Sequence, residues 1–160
     1  MNNLVLILHV VTALLFIGPV TVAVSLFPRI GKAALAATPA SPSHGGLQVL
    51  LAISRTYALL SLLVPALGLG IMFIEPAYFQ QPRFHAAIAL SVVAWLVLLL
   101  LVVPAQRKFA QAIGAGDPDM DPVTAADATV NTTALLKKVT IGGGVFNLLW
   151  LISAVLMVIH

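Results

Sequence analysis

Cysteine is absent from this chain of 160 residues, and charged residues are scarce. Without cysteine, disulfide bonds, thiolate catalysis, iron–sulfur clusters and cysteine-ligated zinc are all excluded. Charged residues make up 8% of the sequence, against about 25% in soluble domains. The formal net charge is +3, from eight Lys and Arg and five Asp and Glu. This composition is typical of a membrane protein rather than of a soluble enzyme.

Acidic residues are missing from the interior of every long apolar run, because all five lie in loops or at the ends of the runs. Pumps and coupled transporters normally carry acids inside their spans, so this absence argues against both classes. The chain also has no GxGxxG, P-loop lysine, GxSxG or HExxH motif. The basic residues are few and lie beside the apolar runs, so nucleic-acid binding has no support. We therefore assign no catalytic residue.

Four apolar runs are present, at residues 4–27, 48–74, 84–103 and 139–159. Each meets the length of about 20 residues that covers about 30 Å of hydrocarbon. Backbone N–H and C=O groups must be satisfied within each segment in a bilayer, so the spans should be helices. The sequence predicts one all-α, polytopic four-helix membrane bundle over residues 1–160. Helical extensions beyond the membrane are predicted at about 104–113 and 122–138.

The basic residues that flank the runs predict an orientation. Six of them fall on one side of the membrane, which are Arg29, Lys32, Arg107, Lys108, Lys137 and Lys138. The loop between the second and third runs carries only Arg83. Loops rich in Lys and Arg stay in the cytoplasm, so we predict that both termini lie outside. The same six residues are predicted to contact anionic phospholipid.

Ionisable side chains near the opposite membrane face are candidate ligands. With the predicted topology, His9, Glu75, His85 and His160 lie at this face, one on each span. Imidazoles and a carboxylate can bind copper or zinc, and His9 with His85 could hold a haem. The spacings include no metal-binding motif such as HxxxH. The alternative for His9 is one interhelical hydrogen bond, worth about 0.6–2 kcal/mol.

Small and polar residues inside the spans predict helix packing or partner contacts. The candidates are Arg55, Ser61, Gly68, Gly143 and Asn147. Arg55 either snorkels to anionic headgroups, the interpretation that we favour, or pairs inside the bundle with a residue such as Asp127.

Prolines inside the spans predict bends. Kinks are expected at Pro19, which follows Gly18, and at Pro65, and such kinks could shape a cavity. Trp150 falls deep in the fourth run rather than near the membrane surface, which favours packing against protein.

Two stretches resemble a bacterial family of small four-helix membrane proteins of unknown function. Residues 8–29 (LHVVTALLFIGPVTVAVSLFPR) carry its early His, mid-helix Gly and aromatic–basic exit, and residues 146–160 (FNLLWLISAVLMVIH) resemble its last helix. Arg55 also fits, whereas the family's terminal Lys–Pro is replaced by Ile–His. The plan is more distantly similar to copper-resistance membrane domains and haem-linked protoporphyrinogen oxidases. That likeness implies a metal or haem role for His9, with Arg29 matching a basic residue after the first helix.

The sequence supports three hypotheses for function. The first is a non-catalytic accessory or assembly subunit of a larger bacterial membrane complex, such as a respiratory oxidase assembly, with other membrane proteins or a second copy as partner. The second is a haem- or copper-binding redox protein that uses His9 with His85 or Glu75. The third is a binder of lipid or a small hydrophobic molecule in a cavity near Pro19 and Pro65.

Overall fold

A computed structural model describes residues 2–38, 41–116 and 130–158. The described part is helical and contains no strand. Four helical stretches are long and apolar enough to cross a membrane, and these are Leu4–Leu35, Pro42–Ile74, Pro82–Ala112 and Thr132–Val158. The predicted all-α fold with four such helices is therefore confirmed, and the chain is an integral membrane protein. Its orientation stays a prediction. His160, Asp127 and residues 122–129 of the predicted extension at 122–138 lie outside the described residues.

The described residues contain six α-helices and two short irregular turns. The α-helices are α1 (Asn2–Leu35), α2 (Pro42–Leu60), α3 (Leu63–Ile74), α4 (Pro82–Val97), α5 (Val103–Ala112) and α6 (Thr132–Val158). A 3₁₀ turn (Pro76–Gln80) joins α3 to α4, and a π turn (Leu98–Val102) joins α4 to α5. The first span is α1, the second α2 with α3, the third α4 with α5, and the fourth α6. We call the end that carries Arg29 and Arg107 the basic end, and the end that carries Glu75 and His85 the histidine end.

Prolines explain both irregular joints within spans. Pro65 has no N–H that could donate to the Ser61 carbonyl. This carbonyl accepts instead from the Val64 N–H at 3.1 Å, and the helix is interrupted between α2 and α3. Pro104 likewise leaves the Leu100 carbonyl without its usual donor, at the place where the π turn lies. By contrast, α1 continues as one helix through Pro19.

Side chains pack closely in the basic half of the bundle. Phe27 of α1 and Phe109 of α5 are fully buried, with ring centroids 5.9 Å apart in an edge-on arrangement. A Cβ placed on Gly31 would lie 2.8 Å from Leu136 Cδ2, so α1 and α6 approach closely here. The predicted packing residue Gly143 lies against Val24, where an added Cβ would meet Val24 Cβ at 3.4 Å. This half of the bundle is therefore a closed core.

The bundle closes as a ring in which α1 contacts α2, α3 and α6, while α6 also contacts α4 and α5. Large apolar side chains remain exposed along the outside of the spans. Leu14, Phe73 and Leu100 are 72%, 69% and 66% exposed. Such a surface would be unfavourable in water, but it matches acyl chains in a bilayer. The polar and small residues that face inward in the histidine half leave space there, and this space is the candidate site.

Candidate functional site

A cavity of about 540 Å³ lies between α1 and α6 in the histidine half of the bundle. Its lining on α1 extends from His9 to Val22, and its lining on α6 extends from Asn147 to Met157. The fourteen α1 residues over that stretch correspond to about 20 Å of helix. α3 contributes Pro65 and Gly68, so the kink predicted at Pro65 lies in the cavity wall. Both size and length fit a small-molecule pocket, which typically has about 300–1,000 Å³.

The cavity borders the outer surface of the bundle. Three of its lining residues are strongly exposed: Leu14 and Val22 of α1 by 72% and 56%, and Leu151 of α6 by 62%. Gly18 also lines the cavity, and a Cβ placed on it would meet no atom within 4 Å. Since this surface faces lipid in a membrane, a molecule dissolved in the bilayer can reach the cavity sideways between α1 and α6.

Three residues that line this cavity carry buried polar atoms without a hydrogen-bond partner. These atoms are His9 Nδ1, Asn147 Oδ1 and Trp150 Nε1. The Asn147 amide is partly satisfied, because its Nδ2 donates to Ser25 Oγ of α1 at 3.1 Å. Buried polar groups are nearly always hydrogen-bonded in native proteins, so an unsatisfied group indicates a ligand-binding or other functional role. Within the described chain, three of the six such atoms line this one apolar cavity, and the other three are on Ser54 and Gln106. Three unpartnered atoms around one cavity mark it as the candidate site.

Two contacts with α3 hold His9 at the end of the cavity that lies toward the histidine end of the bundle. Its side chain is 8% exposed, and the ring hydrogen-bonds the backbone of Val64. The Val64 N–H is already bonded to Ser61, so His9 donates to the Val64 carbonyl. Its Nδ1 has no partner, so the donor is Nε2 and the neutral ring keeps a lone pair on Nδ1. Gly68 makes room for the ring, since an added Cβ would lie 3.3 Å from His9 Cε1.

A second, smaller cavity of about 200 Å³ continues from His9 toward the histidine end. Its lining includes Tyr78 of the 3₁₀ turn and Phe84 of α4, whose ring centroids are 4.6 Å apart. His9, Gly68, Ile88 and Met157 line both cavities. These four residues, one of which is His9, therefore lie where the two cavities adjoin.

The candidate metal set is only partly described. No group of three or more His, Asp or Glu side chains that could hold a metal ion occurs within residues 2–38, 41–116 and 130–158. His85 is exposed, its ring centroid lies 6.0 Å from that of Phe79, and its Nδ1 lies 3.4 Å from the Gln81 carbonyl. Glu75 lies at the C-terminus of α3. His160 lies outside the described residues, so the set of four stays a prediction. Of the other three, His9 lines the cavity between α1 and α6, whereas Glu75 and His85 do not.

The remaining predicted residues lie away from the cavity, apart from Gly68 and Asn147. Ser61 is fully buried, and its hydroxyl donates to the Ala58 carbonyl at 2.9 Å. Arg55 is half-buried on α2. At the basic end, five of the six predicted lipid-contacting residues are exposed and Arg107 is half-buried; the five are Arg29, Lys32, Lys108, Lys137 and Lys138.

For three polar residues of the site, the sequence predicted no functional role. Trp150 supplies an unpartnered N–H, and its depth in the fourth run was the only signal. Ser153 donates to the Leu149 carbonyl at 2.9 Å and to the Ala87 carbonyl at 3.2 Å, which ties α6 to α4 beside the cavity. Ser91 lines the same wall, and its hydroxyl donates to the Ala87 carbonyl at 2.8 Å. Serine in a helix gives no indication of which carbonyl it will reach.

Fold and site define this protein as an α-helical integral membrane protein with a lipid-accessible cavity. Comparison with known proteins finds no matching family model, no matching curated protein and no matching solved structure. The resemblance to four-helix membrane proteins of unknown function therefore stays a prediction.

Proposed function

We propose that this protein binds a small hydrophobic or amphiphilic molecule from the bilayer in the cavity between α1 and α6. The observation that carries the proposal is the coincidence of a 540 Å³ cavity, a lipid-exposed rim, and unpartnered polar atoms on His9, Asn147 and Trp150. Binding sites typically combine an apolar wall with a few polar groups that orient the ligand. A ligand would also give the cavity walls the packing partners that they otherwise lack on one side.

The polar groups favour a ligand that can both accept and donate hydrogen bonds. The Trp150 indole N–H can only donate, so it suits a carbonyl, ether or hydroxyl oxygen. The His9 Nδ1 carries a lone pair, since the other ring nitrogen donates to Val64, and it suits a hydroxyl donor. Few polar groups and no acidic residue among those that line the cavity favour an uncharged ligand.

The direct test is to identify what the protein retains. The full chain would be purified in mild detergent, and its extract would be analysed by mass spectrometry. A stoichiometric lipid-soluble molecule, lost in a His9→Ala, Trp150→Phe double variant that still folds, would support the proposal. A clean protein that retains only bulk phospholipid in the same proportions as the membrane would contradict it.

Haem or copper binding is the second candidate, and His9 beside the cavity is the observation that favours it. The His9 imidazole would hold the haem iron, and the iron would supply redox chemistry beside the cavity that His9 lines. Visible absorption of the same purified sample decides between the candidates. A Soret band lost on His9→Ala would establish haem, whereas a colourless, metal-free sample would leave the uncharged ligand.

The accessory-subunit hypothesis is compatible with either ligand and stays a prediction. Its partner would be another membrane protein or a second copy of this chain. Affinity purification in mild detergent, read by mass spectrometry, tests it: a stoichiometric partner supports it, and a lone, monodisperse particle counts against it.

A further inference from the structure

A separate groove of about 380 Å³ lies at the basic end, between the third span and α6. Its floor and walls are apolar, with Val97 and Leu101 on the third span and Ile141 and Val145 on α6. Leu101, Ile141 and Val145 are 42%, 58% and 41% exposed, so the groove faces lipid. It shares no lining residue with the cavity at His9, so a ligand in the groove does not depend on the proposed function.

The groove carries positive charge at one end only. Lys137 and Lys138 line it, and both are exposed. Lys137, Ile141 and Val145 are spaced four residues apart, so they follow one face of α6. The ammonium groups of Lys137 and Lys138 offer a site for an anion at the polar end of an apolar groove.

The length of the groove identifies its occupant. The lining on α6 begins at Ala134, and the part of the groove from Lys137 to Val145 extends over eight residues, or about 12 Å along the helix. One leaflet contributes about 15 Å of hydrocarbon, half of the bilayer core. A groove for a partner helix would continue through both leaflets, whereas this groove ends within one. Its dimensions match an acyl chain whose headgroup lies at the lysines.

We propose that this groove is a specific site for one anionic phospholipid, with its phosphate at Lys137 and Lys138 and an acyl chain along Ile141 and Val145. Gly142 forms part of the groove floor. A Cβ added to Gly142 would lie 2.9 Å from Val102 Cγ2, which shows that α6 lies close against the π turn at this residue. The flexible lysine stems can lie along the apolar wall while their ammonium groups reach the headgroup level.

The test compares charge removal at the groove with charge removal elsewhere at the same end. The full chain would be reconstituted in phosphatidylcholine nanodiscs that contain about 20 mol% phosphatidylglycerol as the probe. At this level the anionic lipid is the minority species. Native mass spectrometry would then count the phosphatidylglycerol retained by each variant. We expect the Lys137→Gln, Lys138→Gln variant to bind about 30-fold more weakly, since each lysine near a membrane surface contributes about a factor of five. The control variant, Lys32→Gln with Lys108→Gln, removes the same charge from exposed residues outside the groove.

A steric pair tests the acyl-chain half of the site without changing charge. Val145→Trp fills the groove, whereas Leu148→Trp places the same indole on an exposed α6 residue outside it. Loss of retained phosphatidylglycerol in Val145→Trp but not in Leu148→Trp would support the site. Soluble glycerol phosphate should not displace the lipid, because it lacks the chain. Equal losses in both lysine variants, or displacement by glycerol phosphate, would overturn the proposal in favour of non-specific attraction or a free-phosphate site.

Discussion

Two tryptophans lie deep in the bundle, and their indole N–H groups have different surroundings. Trp95 Nε1 donates to the Ala58 carbonyl at 2.9 Å, whereas Trp150 Nε1 has no partner. Trp95 has a partner because the Leu62 N–H bonds to the Leu59 carbonyl at the end of α2, which leaves the Ala58 carbonyl to side-chain donors. Ser61 is the second of these donors. One indole therefore stabilises the bundle, and the other is available to a ligand.

Replacing each tryptophan by phenylalanine separates these two roles. Trp95→Phe removes a donor from a buried carbonyl, so we expect it to lower the free energy of unfolding by about 0.5–1.5 kcal/mol. Trp150→Phe removes no hydrogen bond within the described chain and should leave the stability of the ligand-free protein nearly unchanged. Thermal unfolding in the same detergent measures both variants after extraction of bound lipid. Equal destabilisation would contradict the assignment.

Within helix α6, three consecutive glycines have three different environments. A Cβ on Gly142 would lie 2.9 Å from Val102 Cγ2, one on Gly143 would lie 3.4 Å from Val24 Cβ, and one on Gly144 would meet nothing within 4 Å. The sequence predicted a small-residue contact at Gly143 but could not rank the three. Which partner each glycine meets depends on how α6 is rotated against α1 and the π turn.

Alanine substitution of these glycines should therefore give opposite results. Gly142→Ala overpacks the contact with Val102, and we expect a loss of about 1–3 kcal/mol in the free energy of unfolding. Gly144→Ala adds a methyl group to the lipid-facing surface and, by helix propensity, should be neutral or stabilising by up to about 1 kcal/mol. Unfolding temperatures measured side by side test the pair. A Gly142→Ala variant as stable as Gly144→Ala would show that the π turn yields at no cost.

For the whole molecule, the sequence was informative about the spans and less informative about the space between them. Apolar run length was enough to predict four helices, since a bilayer allows few other structures. The cavity depends instead on packing around α1 and α6, where Gly18 and Gly68 leave room that no run length encodes. The partner of His9 was equally hidden, because the Val64 carbonyl is reached only once α3 lies against α1.

The orientation of the whole molecule is open to a simple labelling experiment, since the chain has no native cysteine. Single cysteines would replace Arg83 at the histidine end and Lys32 at the basic end. We expect a membrane-impermeant maleimide to label Arg83→Cys in intact cells and Lys32→Cys only after the membrane is opened, because basic loops stay in the cytoplasm. The reverse pattern would place both termini inside.

Binding of a molecule from the bilayer in the cavity between α1 and α6, which we claim here, can be tested with one pair of variants. Gly18→Phe adds a phenyl ring at the open wall of the cavity, whereas Gly144→Phe adds the same ring on an open surface outside the cavity. Both proteins would be purified alongside the unaltered chain, and native mass spectrometry would compare the bound small molecule. We predict that Gly18→Phe loses it and Gly144→Phe retains it. Retention by both folded variants, or its absence from the unaltered chain, would contradict the claim.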